Sequence, residues 1–247
     1  MSSRHQSSGH RLTTLLVAAA AGLVPLLRPG EPLAQPTFPP VADSEITADG
    51  LYPLDPSVLG VVAWLRPDVD LSDYTGIYAM HTAIQFRDVP QRWHNARSIE
   101  TATAFHVDDA RQQQLRDLFE ASFAEQLASV RAFEPSDEVG RNVLLVQGIL
   151  TDVISGVPPY LPGSTVTNIR WPWEANLVLE VRDSMTYTVL ARTVERQRID
   201  GPIDASMVSA LTPRIVHDWT YTLLTRLEDL RGLYPSRLSR RDEQREE

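Results

Sequence analysis

The stretch ANLVLEVRDSMTYTVLARTVERQR, residues 175–198, decides the fold because apolar and polar residues alternate along it on both sides of a polar centre. Alternation at every second residue is the period of a half-buried β-strand. Asp183 and Ser184 are residues that favour a turn. The stretch therefore predicts a β-hairpin with one apolar and one polar face.

The register of this hairpin follows from where its turn is placed. With a turn centred near Met185, Glu180 lies opposite Leu190 and diagonal to Arg192 on the polar face. A diagonal ion pair on a surface contributes only a few tenths of a kcal/mol, roughly.

Four further elements are predicted around the hairpin. They are a strand within Tyr74–Phe86, a helix over Asp108–Ala132, a strand over Arg141–Ile154 and a final helix running to Leu230. Asp108 is placed to cap the first helix, and Gly148 is a candidate bulge in the buried strand. Thr212 as N-cap and Pro213 at the first helical position open the final helix.

The order of elements is strand, helix, strand, strand, strand, helix. It predicts an α/β (α+β) fold, a two-layer sandwich in which two amphipathic helices pack on a mixed sheet of about four strands. We expect residues 64–232 to form this single domain.

The ends of the chain are different in character. Arg4 and Arg11 precede the uncharged run Leu12–Leu27, which is the layout of a secretory signal peptide, and we expect it to comprise residues 1–34. Residues 35–63 are rich in proline and predict an extended linker. Arg237–Glu247 is nearly all charged and has no apolar stripe, so residues 233–247 predict a solvated tail.

Composition excludes several classes of chemistry. The 247 residues include no cysteine and no lysine, so there is no thiolate nucleophile, Cys-type zinc site or Schiff-base lysine. A formal net charge of −9 without a basic stripe argues against nucleic-acid binding. The sequence shows no residue spacing typical of a metal site or a cofactor-binding loop, so we expect neither a metal ion nor a cofactor.

Several segments together resemble a known family. They are Arg66–Tyr74, Phe86–Pro90, Leu118–Glu120, Val143–Gly148, Asp152-Val153, Pro158-Pro159, and Leu177–Ser184 with Val189–Arg192. They look like a family of bacterial envelope proteins, mostly lipoproteins, known only as domain-of-unknown-function family 3313. The resemblance covers about Trp64 to Leu230. It implies a location in the periplasm or cell envelope of a Gram-negative bacterium, and it implies no activity or site.

Two departures from that family matter. Its members commonly carry an acylated cysteine at the end of the signal peptide, whereas here Ala21-Gly22 is followed by Leu23, so this chain is lipoprotein-like without a lipobox cysteine. The family hairpin usually has glycine where this chain has Tyr187. Because tyrosine tolerates a positive φ poorly, the type of turn stays open.

The most conspicuous candidate for contact is the segment Ser155–Glu174, which carries Tyr160, Trp171 and Trp173 among four prolines. Stiffened loops present aromatic rings at low entropic cost, and such rings are common at contact surfaces. The alternative is that both tryptophans fold back to cover the edge of the sheet.

We therefore expect an exported domain that binds or scaffolds another envelope protein and has no catalytic residues. Membrane contact would come only through an uncleaved signal segment or this aromatic loop. The alternative is a small-molecule-binding or hydrolytic enzyme that uses His81, His94 or His106 with nearby carboxylates. A third possibility is assembly through an exposed sheet edge, and the oligomeric state is not predicted.

Overall fold

A computed structural model describes residues 45–89, 104–158 and 168–234. The described strands are β1 Tyr52–Pro53, β2 Val62–Leu65, β3 Gly76–Ala79, β4 Ala83–Phe86, β5 Glu134–Pro135, β6 Val143–Ser155, β7 Asn168–Ile169, β8 Trp173–Asp183, β9 Val189–Arg198 and β10 Ile203–Asp204. The described helices are α1 Pro56–Leu59, α2 Asp109–Leu127 and α3 Val208–Gly232.

The main sheet is mixed and has eight strands in the described residues, so the expected number of about four is too small. Its order is β1-β2-β9-β8-β6-β3-β5, and β4 also pairs with β6. β3 and β4 run parallel to β6, and the pairs of β6, β8 and β9 are antiparallel. The extra strands are short and carry little periodicity, which is why alternation along the sequence does not reveal them.

Both long helices cover the same face of this sheet. Phe119 and Phe123 of α2 approach Gly148, which pairs with Leu179. Arg226 of α3 forms an ion pair with Glu195, which pairs with Leu177 on that same face. The core lies between the helices and the sheet, and its fully buried side chains include Trp219, Phe119, Leu150 and Leu177. The mixed α+β character and the two packed helices are thus as expected.

The opposite face of the sheet carries no described helix. An apolar row crosses it in register through Val62, Val194, Val178, Ile149 and Ala83. Pairs of charged residues flank this row on both sides, with Glu180 and Arg192 on one side and Glu174 and Arg196 on the other.

The hairpin of β8 and β9 is confirmed, but its predicted register is wrong. Glu180 lies directly opposite Arg192, not Leu190. The register shifts because Arg182 pairs with Val189 while Val181 pairs with Ala191, which leaves Leu190 as an extra residue in β9. This bulge converts the expected diagonal ion pair into a direct one.

Gly148 is not at a bulge. The irregularity of β6 lies between Thr151 and Ile154, where Asp152 adopts a φ of 55°. Gly148 instead allows a helix to approach, because a Cβ atom there would lie 2.7 Å from the ring of Phe123. The absence of a side chain therefore serves packing between α2 and the sheet.

The predicted start of the last helix is also wrong. Asp204 caps a short 3₁₀ turn over Ala205–Met207, and α3 follows at once from Val208. Thr212 therefore lies inside the helix and donates its hydroxyl to the Val208 carbonyl at 2.9 Å. Asp108, by contrast, caps α2 as expected and accepts the backbone N–H of Arg111 at 2.8 Å.

The predicted linker is wrong for residues 45–63. Leu51, Leu54 and Ala63 are buried, and β1 and α1 lie within this range. Proline does not prevent folding here because Pro53 occupies an edge strand and Pro56 the first position of a helix, where no backbone donor is missed. At the other end, Tyr234 of the expected tail is buried. Residues 1–44 and 235–247, with the expected signal peptide, lie outside the described residues.

The described sheet ends in β1 and β5, each of two residues and each carrying a proline, Pro53 or Pro135. Short edges that lack a donor are poor templates for another strand. These two edges therefore give no support to assembly through an exposed sheet edge, but β4 has β6 as its one partner among the described strands and carries no proline, so such assembly stays a prediction.

Candidate functional site: the cleft beside Trp171

Trp171 lies at the described end of the aromatic segment, between β7 and β8. Gly156, just after β6, donates its N–H to the Pro172 carbonyl at 3.1 Å. A Cβ atom on Gly156 would lie 1.9 Å from the Trp171 carbonyl oxygen. Only glycine permits this approach, so the end of β6 fixes the backbone of Trp171.

The indole of Trp171 is held by polar groups on several sides. Its Nε1–H donates to Asp200 Oδ1 at 2.9 Å. The guanidinium carbons of Arg170 and Arg198 lie over the ring at 4.6 and 4.5 Å from its centroid. Arg198 also donates from Nε to Asp200 Oδ1 at 3.2 Å. Cation–π contacts of this kind favour one ring orientation, so the indole is positioned before any ligand arrives.

A cleft of about 600 Å³ lies beside this ring. Its lining residues are Asn168, Arg170, Trp171, Arg198, Asp200, Gly201 and Pro202. Its side chains include two guanidinium groups and one carboxylate, so the cleft is positively charged although the whole chain is acidic. An apolar ring next to uncompensated positive charge suits an anionic ligand that also has an apolar part.

A second, smaller cleft of about 270 Å³ also has Trp171 in its lining, and its charges are balanced. Arg196 donates from Nε to Glu174 at 2.5 Å and from Nη1 to Asp152 at 3.2 Å, and Arg87 donates from Nε to Asp152 at 2.6 Å. The hydrogen bond from Arg87 holds the pKa of Asp152 below its ordinary value, and Arg196 adds to this effect. Two arginines and two carboxylates neutralise each other, which indicates a structural ion-pair network.

The structure separates the two tryptophans. Trp173 is only 5% exposed and donates its indole N–H to Thr212 Oγ1 at 3.3 Å, so it packs between the sheet and α3. The alternative reading, packing against the sheet, therefore holds for Trp173, and its expected role in contact is wrong. Trp171 is partly exposed at a cleft, and its role in contact stays a prediction. Tyr160 lies outside the described residues.

The described histidines do not gather at one pocket. His81 is exposed, and its Nδ1 lies 3.0 Å from Glu120 Oε1. The backbone carbonyl of His81 accepts a hydrogen bond from the side chain of Gln147, near the middle of β6. His106 directly follows Phe105, which forms a β-bridge with Ser155 at the end of β6. Gln147 and Ser155 are separated along β6 by about 25 Å at roughly 3.3 Å per residue. His94 lies outside the described residues.

Two further observations concern the described residues alone. They contain no group of three or more histidine, aspartate or glutamate side chains placed to hold a metal ion. None of the helices in these ranges has the length and apolar character needed to cross a membrane.

Sequence reasoning found Trp171 but missed Arg170, Arg198 and Asp200. Arg198 is the last residue of β9 and lies opposite Glu174 of β8, whereas Asp200 follows the hairpin, just before β10 pairs with β7 with Ile203 opposite Ile169. A pair of two-residue strands leaves no periodic signal. The one visible hint is the turn sequence Asp200-Gly201-Pro202 directly after a predicted strand.

Comparisons with known proteins give no family. No protein-family model and no curated protein matches the chain. Among solved structures, a putative neuraminyllactose-binding hemagglutinin homolog from Helicobacter pylori has a TM-score of 0.37 at 9% identity, covering 66% of this chain and 88% of that one. Protein XCC0632 of the DUF330 family from Xanthomonas campestris has a TM-score of 0.33 at 12% identity, covering 63% and 87%. PelC from Paraburkholderia phytofirmans, a dodecamer, has a TM-score of 0.27 at 8% identity, covering 64% and 95%. TM-scores this low do not establish a shared fold.

Proposed function

We propose that this chain is a binding or scaffold domain of the bacterial envelope, without catalytic activity, and that it contacts its partner through Trp171. The observation that carries the proposal is the contrast between two neighbouring tryptophans. Trp173 is buried in the core. Trp171 is partly exposed, and its ring is oriented by Arg170, Arg198 and Asp200.

A fixed aromatic ring at the surface is well suited to binding. Its large apolar area adds affinity, and its restricted motion lowers the entropy that binding must remove. The two cations over Trp171 and the hydrogen bond to Asp200 supply that restriction. A ring needed only for folding would be buried, as Trp173 is.

The location and family are part of the same proposal. The charge layout around Leu12–Leu27 supports export to the periplasm or envelope, and the matched segments between Trp64 and Leu230 support membership of domain-of-unknown-function family 3313. The partner is then another envelope protein. N-terminal sequencing of the protein from its native host would test export, since a chain that still begins at Met1 would contradict it.

Photo-crosslinking tests the contact itself. A photoreactive residue replaces Asn168, which lines the cleft, or the exposed Val139, which lies outside it, in the full chain expressed in its native host. We expect one discrete crosslinked protein from position 168 and none from position 139. The same products from both positions, or none from 168, would contradict a contact surface at Trp171.

A further inference from the structure

The two clefts beside Trp171 differ in charge, since the smaller is balanced and the larger is positive. This difference indicates which class of ligand the larger cleft binds. Resting on the proposed function, we propose that the cleft of about 600 Å³ binds the carboxylate of an acidic side chain in a peptide segment of the partner, held by Arg170 and Arg198.

The first step is the charge balance. In the smaller cleft, Arg87 and Arg196 have Asp152 and Glu174 as partners. In the larger cleft, Asp200 is the only carboxylate that lines the pocket for Arg170 and Arg198. Within the described ranges, no carboxylate lies within ion-pair distance of Arg170. Among the described residues, one positive charge of this cleft therefore has no counter-charge.

The second step is the geometry of the donors. A guanidinium that stacks on a ring keeps its in-plane N–H groups available, and these match the two oxygens of a carboxylate. Arg198 uses Nε for Asp200, and among the described residues its Nη groups have no acceptor. Both guanidiniums lie beside the indole and line the same cleft, so a carboxylate in that cleft has donors from two arginines around it.

The third step is the shape of the ligand around that carboxylate. The remaining lining comes from Asn168, Gly201 and the apolar residues Trp171 and Pro202, and a Cβ atom on Gly201 would meet nothing within 4 Å. This open apolar floor accommodates a hydrocarbon stem behind the charge, as aspartate and glutamate side chains provide.

The fourth step distinguishes a peptide from an anionic membrane surface. Asp200 in the cleft and the exposed Asp204 next to it would face a broad anionic surface, and the whole chain has a formal charge of −9. A flat layer of phosphates would meet this repulsion over its whole area. A single side chain enters only the positive cleft.

The test follows the indole N–H of Trp171 by NMR in the full chain, with its resonance identified by its loss in Trp171→Phe. The probe is a short peptide, capped at both ends, with one glutamate between two leucines. The comparison probes are the same peptide with glutamine, inorganic phosphate, and phosphatidylglycerol vesicles. We expect the glutamine peptide to bind at least about tenfold more weakly.

Three variants predict the direction in which binding of the glutamate peptide should change. Arg170→Gln and Arg198→Gln should each weaken binding of the glutamate peptide about tenfold. Asp200→Asn keeps the acceptor for the Trp171 indole and removes the competing charge, so binding should become about threefold to tenfold tighter. Arg87→Gln, in the balanced cleft, is the control and should leave the dissociation constant unchanged.

Equal binding of the glutamate and glutamine peptides, or weaker binding by Asp200→Asn, would overturn the carboxylate assignment. Binding of phosphate or of vesicles more tightly than the glutamate peptide would overturn the peptide assignment. If these tests fail while position 168 still gives its discrete crosslink, the proposed function stands and only the ligand class is wrong. If the crosslink is also absent, both fail.

Discussion

Arg192 lies directly opposite Glu180 across the hairpin and donates from Nε to Glu180 Oε2 at 2.9 Å. Arg182 donates to the other carboxylate oxygen at 2.8 Å. Glu180 is only 4% exposed, so this carboxylate is buried between two cations on the face of the sheet that has no described helix. Removing one partner from such a buried group of charges is destabilising, because it leaves charge without compensation.

Glu180→Gln should destabilise the fold by about 2 kcal/mol, because Arg182 loses its counter-charge and Arg192 keeps only its ion pair with Asp49. The cost stays below that of a fully buried pair since the arginine side chains are 25–27% exposed. Urea unfolding measures it. Glu174→Gln is the matched control, since its partner Arg196 is more exposed, and should cost about 0.5 kcal/mol. Equal costs for both variants would contradict this account.

Tyr187 lies in the turn of the same hairpin and has a φ of 62°. The left-handed conformation is therefore present although glycine is not. At this position we expect glycine to be more stable than alanine, the reverse of the usual order in a helix. Tyr187→Gly should be more stable than Tyr187→Ala by about 1 kcal/mol, because only glycine adopts this φ without strain. At Tyr221, exposed on α3, the order should reverse by a similar amount. Thermal unfolding of the four variants decides, and alanine better than glycine at both positions would refute the claim.

Gly148→Ala should cost about 2 kcal/mol or more, because its new Cβ atom would overlap the ring of Phe123. Adding Phe123→Leu should restore part of that loss, so the two changes should cost less together than the sum of each alone. Gly232→Ala, with open space around it, should be neutral or stabilising. Additive costs in the double variant would show that Phe123 is not the obstacle.

Asp183 should make stability fall in acid. Burial alone would raise the pKa of this carboxyl, but hydrogen bonds from Thr186, Tyr74 and Met185 outweigh it and hold the pKa below its ordinary value. Its stabilising effect is therefore complete above the pKa of an unfolded aspartate, about 3.9, and is lost as pH falls through the lower folded pKa.

The measurement is the free energy of unfolding of the wild type and Asp183→Asn between neutral pH and about pH 3. The difference between the two proteins should shrink as pH falls, because protonation removes from the wild type what the substitution has already removed. Asp137→Asn, at an exposed position, controls for the loss of one surface charge. A difference that is constant over this range would be inconsistent with the role given to Asp183.

Sequence periodicity predicted the parts of the fold that are long and regular. The hairpin of β8 and β9 and the helix α2 with its cap at Asp108 follow from alternation, helical spacing and a capping residue. The register of Glu180 did not follow, because the extra residue Leu190 is buried like its neighbours and nothing in the sequence marks it.

The candidate site was predictable only in outline. The prolines and the two tryptophans marked the segment as a candidate. Which tryptophan is buried was not predictable, because Trp173 packs against α3 and donates a hydrogen bond to Thr212, about forty residues away along the chain. Arg170 and Asp200 flank the pairing of β7 with β10, which involves only two residues from each strand. Such long-range contacts between short elements leave no local pattern for periodicity to detect.

The most direct test of the account replaces each tryptophan separately with alanine and measures two quantities, the melting temperature and the fraction of chain crosslinked to its partner from position 168. Trp171→Ala should keep a melting temperature close to that of the wild type and lose most of the crosslink. Trp173→Ala should lower the melting temperature sharply, because a buried ring is removed from the core. A folded Trp171→Ala protein that crosslinks as well as the wild type would contradict the claim that Trp171 is the contact residue.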